Sequence, residues 1–126
     1  DELVDYTVVF RTADKSRAAG TGTSVLLAAK EGDQYVPFKC TSPSQEHKSS
    51  PFKRGFVDTF TFRGPSMDPK YVKLKREGTG MELNGWILDD ISITNTSTGQ
   101  EAYYPVFRAL ALENVTKLTG RGRTSR

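Results

Sequence analysis

The sequence predicts an all-β fold, an antiparallel sandwich of about seven or eight short strands. Three observations carry this. Apolar and polar residues alternate over short runs, turn-forming clusters recur about every 8–12 residues, and no segment has the periodicity of an amphipathic helix. There is also no internal repeat and no heptad pattern. At 126 residues the chain is long enough for one domain with its own core.

The first predicted strand is Tyr6–Thr12, with Tyr6, Val8 and Phe10 on one face and Thr7, Val9 and Arg11 on the other. The segment "DKSRAAGTGT" follows as a loop, then Ser24–Ala29 as a more apolar strand. "KEGD" turns the chain into a short strand at Tyr35–Cys40. A polar loop rich in serine spans Thr41–Pro51. Phe56–Phe62 sets Phe56, Phe60 and Phe62 on one face. Asp58 interrupts that face, which places it at a strand end or beside a polar partner. After the turn "GPSMDP", Tyr71–Arg76 alternates Val72 and Leu74 against Lys73 and Lys75.

Trp86–Asn95 changes phase within the strand. Trp86 and Leu88 share one parity and Ile91 and Ile93 the other, with Asp89-Asp90 at the switch, as a β-bulge produces. "NTSTGQ" is a hairpin-like turn into Ala102–Phe107. The segment Arg108–Leu118 fits either a last strand or a short helix. Trp86 is expected in the core. The domain is placed at residues 1–118, and the basic stretch 119–126, "TGRGRTSR", is expected to be a flexible tail or linker.

The net charge of +3 comes from the last ten residues: Lys117, Arg121, Arg123 and Arg126 bring four positive charges, which leaves residues 1–116 at −1. A near-neutral core argues against a nucleic-acid partner. No run approaches the roughly 18 apolar residues of a membrane span. Cys40 is the one cysteine and His47 the one histidine, so no intrachain disulfide forms and no Cys/His metal cluster is available. Neither residue stands in a catalytic arrangement, and no enzymatic activity is expected. Asn95 and Asn114 head glycosylation sequons, which short Ser/Thr-rich sequences also produce by chance.

Five segments in order resemble the PLAT domain, the module of polycystins, lipoxygenases and alpha-toxins also called the lipoxygenase homology domain. They are Tyr6-Thr-Val-Val-Phe-Arg-Thr12, Ala19-Gly20-Thr21, Phe52-Lys-Arg-Gly-Phe-Val-Asp-Thr-Phe60, Trp86-Ile-Leu-Asp-Asp-Ile-Ser-Ile93 and Gly99-Gln-Glu-Ala-Tyr-Tyr104. The resemblance runs from about Tyr6 to Leu110. It implies an eight-stranded antiparallel β-sandwich of two four-stranded sheets. It also implies a non-catalytic module that docks a larger protein onto a membrane surface or another protein domain.

Within that resemblance Gly55 relieves backbone strain at a strand entry, and Phe38, Lys39, Lys53 and Arg54 are the expected membrane- or partner-contacting residues. In calcium-binding relatives the carboxylates come from loops at one end of the sandwich. Asp14, Glu31, Asp33 and Glu77 are the corresponding candidates here, for a weak calcium site, since Gly22 stands where those relatives have an aspartate. The main expectation is a docking module, as one repeat of a multi-PLAT protein. The alternative is the regulatory lipid-targeting domain of a lipoxygenase or lipase. A monomeric domain with a cytoplasmic or membrane-peripheral location accompanies both.

Overall fold

The computed structural model describes residues 3–14, 24–31, 34–39, 55, 57–66, 68–77, 86–110 and 115–124. Within them the strands are β1 (Leu3–Thr12), β2 (Ser24–Glu31), β3 (Gln34–Lys39), β4 (Val57–Pro65), β5 (Asp68–Glu77), β6 (Trp86–Asn95), β7 (Gln100–Leu110), β8 (Val115–Thr119) and β9 (Arg121–Thr124). All pairings are antiparallel. One sheet has the order β4-β1-β6-β7-β9 and the other β3-β2-β5-β8.

The two sheets share one core, built from the residues that alternation placed inward. Tyr6, Val8 and Phe10 of β1, Phe60 of β4 and Ile91 and Ile93 of β6 meet Val72 and Leu74 of β5 and Leu118 of β8. Phe10 is fully buried, and its ring stands edge-on to that of Phe60, with centroids 5.7 Å apart, the arrangement aromatic quadrupoles favour. Lys73 and Lys75 alternate with the buried pair of β5, half-buried on the other face. Asp58 is buried on the inward side of β4, opposite Phe10, and it is not without a partner. This agrees with the cost of burying a bare carboxylate.

The phase change in β6 is a real irregularity. Its pairing with β7 slips between Leu88 and Asp90, and Leu88, Ile91 and Ile93 all point into the core. The described parts of the segment that fitted strand or helix are strand: β7 continues to Leu110 and β8 begins at Val115. Trp86 pairs with Leu110 through its backbone; its side chain lies outside the described residues.

The expected four-plus-four arrangement is corrected to five plus four, because the supposed tail supplies β9. Residues Arg121–Thr124 pair with Tyr103–Gln100 along the edge of the larger sheet. The physical reason lies in the glycines. The chain leaves the smaller sheet at Thr119 and enters the larger one at Arg121, so Gly120 is the crossover. An added Cβ there would lie 2.4 Å from Cε2 of the buried Tyr104 ring. Glycine thus permits a close approach of backbone to ring, where the sequence alone suggests a linker.

Candidate functional site

The pairing registers define two ends of the domain. At one end β1 finishes: Thr12 pairs with Leu88, the Ala13 amide donates to the Ile87 carbonyl at 2.9 Å, and the Gly55 amide donates to the Ala13 carbonyl at 3.1 Å. Gly55 has φ +75°, as expected for a strand entry that an L side chain would strain. Its Cα faces Asp14: a Cβ there would sit 3.5 Å from the Asp14 Cγ.

At the opposite end lie Leu3, Pro65 and the β6–β7 hairpin, where the Thr96 amide donates to the Asp5 carbonyl at 3.0 Å. The hairpin is closed locally. Asn95 Oδ1 accepts the amides of Ser97 at 2.9 Å and Thr98 at 3.2 Å, and Gly99 takes φ +76°.

The short links from Pro65 to Asp68 and from Thr119 to Arg121 align the smaller sheet with these ends. Asp68 belongs with the hairpin end, and Glu77, at the other end of β5, belongs with Asp14. Ser24 pairs with Glu77, whereas Glu31 pairs with Gln34 at the far end of β2.

The four candidate calcium carboxylates therefore divide. Asp14 is exposed and shares its end of the domain with the backbone of Glu77. Glu31 is seven residues along β2 from the partner of Glu77, roughly 23 Å at strand rise, far beyond the 2.3–2.6 Å reach of one calcium shell. The backbone register thus sets Glu31 and Glu77 at opposite ends of the β2–β5 pair. Asp33, between Glu31 and Gln34, lies outside the described residues. Among the described residues, no group of three or more His, Cys, Asp or Glu is placed to hold a metal ion.

The candidate contact residues fall at the Asp14 end so far as they are described. Lys39 pairs with Leu26 and Phe38 with Leu27, two and three residues from Ser24. Lys53 and Arg54 lie outside the described residues, immediately before Gly55 in sequence.

The outer face of the larger sheet carries features that the alternation pattern did not single out. Arg11 and Asp90 pair across β1 and β6 with Nη1 and Oδ1 2.9 Å apart, and the Tyr103 hydroxyl donates to Asp90 Oδ2 at 3.0 Å. Next to them Ser92 is buried, and its Oγ has no hydrogen-bond partner. Toward the hairpin end, Arg63 donates to Asp5 from Nε at 2.7 Å and from Nη2 at 3.0 Å. That fork holds the Asp5 carboxyl below its ordinary range. The pair borders an open groove of about 430 Å³ lined by Asp5, Tyr6, Thr7, Thr61, Phe62, Arg63 and Thr96.

Neither family models nor curated proteins match the chain. Solved structures do. A coral 8R-lipoxygenase, described as calcium-activated through a C2-like domain, aligns with TM-score 0.71 and 18% identity over 92% of this chain. The chain has the PLAT fold. A calcium-dependent 11R-lipoxygenase aligns with TM-score 0.63 and 20% identity over 93% of the chain. The alpha toxin of Clostridium absonum aligns with TM-score 0.59 and 15% identity over 98%. The PLAT-like chain spans 17% of each of these lipoxygenases and 31% of the toxin. Among its described residues no helix is long and apolar enough to cross a membrane.

Proposed function

We propose that this chain is a non-catalytic PLAT-family module that brings a larger protein, of the lipoxygenase or lipase kind, to a lipid surface. The observation that carries the reading is the extent of the structural likeness. It takes in more than nine-tenths of this chain and about a sixth of each lipoxygenase, so what is shared is one domain of the larger enzymes. A multi-PLAT repeat has no comparable support, because every match named above is to a lipoxygenase or a toxin.

The docking surface in this reading is the Asp14 end, with Phe38, Lys39, Lys53 and Arg54 as its contact residues. Each basic residue near an anionic leaflet contributes about 1 kcal/mol, screened by salt. The domain works as a monomer, peripherally to the membrane. Calcium is an accessory ligand here. Asp14 and Glu77 are the two candidate ligands left to this end, short of the ligand number of a tight site, so affinity falls in the weak class of about 10⁻⁴–10⁻³ M. The calcium dependence in the names of the two lipoxygenases supports calcium as a ligand of this module.

Co-sedimentation of the folded domain with vesicles of phosphatidylcholine and phosphatidylserine tests the reading. Binding is expected at low salt, strengthened by millimolar calcium, and weakened by high salt and by Lys53→Glu/Arg54→Glu. Failure of the folded domain to bind vesicles of any composition, with or without calcium, overturns it.

A further inference from the structure

The groove beside the Asp5–Arg63 pair has a regular floor. Asp5 pairs with Arg63 and Thr7 with Thr61 across β1 and β4, two residues apart along each strand and on the outer face. The rung between them is Tyr6–Phe62, whose side chains go to the core, so backbone separates the two polar rungs. At ordinary strand spacing and rise the four positions mark a rectangle of about 5 by 7 Å. Thr96 closes the hairpin end of the groove, its hydroxyl donating to the Asp5 carbonyl at 2.9 Å.

The groups on this rectangle both donate and accept. Arg63 donates to Asp5 from Nε and Nη2, and among the described residues its Nη1 has no protein partner. Each Asp5 oxygen accepts one of those bonds and retains a lone pair. The Thr7 and Thr61 hydroxyls are bonded to no protein group among the described residues, and each can donate one hydrogen bond and accept two.

Charge narrows the choice of ligand. The guanidinium and the carboxylate cancel, so an anion is repelled by Asp5 and a cation by Arg63. A neutral molecule with several hydroxyls meets neither penalty, and each hydroxyl can give and take a bond here. A six-membered sugar ring with its equatorial hydroxyls has the breadth of the rectangle. The volume of about 430 Å³ lies within the range of small-molecule sites, about 300–1,000 Å³. The frame is also set before a ligand arrives: the fork fixes Arg63 and Asp5, and β-branched threonines are stiff at χ1. Little side-chain ordering then opposes binding.

We propose that this groove binds a neutral hexopyranose, whose hydroxyls span the Asp5–Arg63 and Thr7–Thr61 rungs. The groove is open, so the upper face of the sugar stays in water and the affinity is weak. The site lies at the hairpin end, away from Asp14, and does not depend on the lipid-docking reading.

Amide chemical shifts of the full chain test this, followed by NMR as glucose, galactose, mannose or inorganic phosphate is added at millimolar concentrations. The expected result is a saturable shift of the Asp5, Thr7, Thr61 and Arg63 amides with at least one sugar and none with phosphate. Thr7→Val/Thr61→Val keeps the β-branched shape and removes both hydroxyls. It is expected to bind that sugar about 5- to 100-fold more weakly, the range for two hydrogen bonds. Thr61→Ser, which keeps the hydroxyl, is expected to bind within a few-fold of the parent. Thermal unfolding checks that the variants fold. If the double variant does not, Asp5→Asn, at an exposed position, takes its place with a weakening again expected. No saturable shift with any of the three sugars overturns the site, as do shifts confined to amides elsewhere. Phosphate shifting these amides in place of sugar overturns the neutral ligand. A folded valine or asparagine variant that binds like the parent overturns the assigned contacts.

Discussion

Replacing Gly120 with alanine separates two opposite accounts of the C-terminal residues. A flexible linker glycine replaced by alanine stabilises a protein slightly, by about 0.4–1 kcal/mol, because the unfolded chain loses freedom. The crossover between β8 and β9 predicts the reverse. The new Cβ would lie 2.4 Å from Cε2, 2.8 Å from Cζ and 2.9 Å from Cδ2 of Tyr104, against a favourable carbon–carbon separation of about 3.5–4.0 Å. Tyr104 is fully buried, so its ring cannot retreat into solvent, and relief needs a shift of about 1 Å in a packed core or in β9. Overpacking of this kind costs roughly 1–3 kcal/mol. At about 4 °C per kcal/mol for a domain of this size, the melting temperature should fall by roughly 4–12 °C, measured by circular dichroism and calorimetry. Tyr104→Leu in the same chain shortens the obstructing side chain, so a double-mutant cycle should show coupling between the two sites. A Gly120→Ala protein that melts at or above the parent temperature would refute the packing argument.

Three further outcomes are expected. Ser92→Ala should be neutral or stabilise by up to about 1 kcal/mol, because the buried hydroxyl makes no hydrogen bond; a clear loss in chemical denaturation would reveal a partner. Tyr103→Phe should cost about 1.5–3 kcal/mol by removing the hydroxyl that donates to Asp90, and an unchanged unfolding midpoint would contradict that bond. The Asp5 carboxyl is held below its ordinary 3.8 chiefly by the hydrogen bond from Arg63. A depressed carboxylate contributes stability that is present above the unfolded value and is lost as pH falls through the folded one. Arg63→Gln should therefore move the Asp5 midpoint back up toward 3.8 in a carboxyl NMR titration, and added salt should do so in part. A midpoint unmoved by the substitution would discount the pair.

Alternation made much of the core legible. In β1 and β5 it singled out Tyr6, Val8, Phe10, Val72 and Leu74, all buried, because a strand with one buried face must repeat every second residue. The phase change at Asp89-Asp90 gave the bulge in advance, since an inserted residue leaves a parity error that can be seen in one strand alone. What stayed hidden depends on residues distant in sequence. Gly120 is a packing glycine only because Tyr104 lies over it. Phe107 acquires its positive φ from the mismatch of β6 and β7, and its own neighbours in sequence give no sign of it. Glu31 and Glu77 look equivalent as loop-end acids until the β2–β5 register sends them to opposite ends. The candidate site was legible as a set of residue types, and its membership was decided by strand pairing.

The pairing of Thr124 with Gln100 has a mechanical consequence. Gln100 opens β7 beside the hairpin, and Leu3 opens β1 at that same end of the larger sheet. The two outermost described residues of the chain thus emerge on one side, across the β1-β6-β7-β9 columns, with Leu3 three residues beyond the rung of Thr124, about 17 Å apart at ordinary strand spacing and rise. A handle attached at each would pull on β1 and β9 from their free ends, so hydrogen bonds would open one after another like a zip. Anchored to a bead or an electrode by those ends, the domain would present Asp14 and Gly55 outward, and a pull would detach β9, the shortest strand, before the core is loaded.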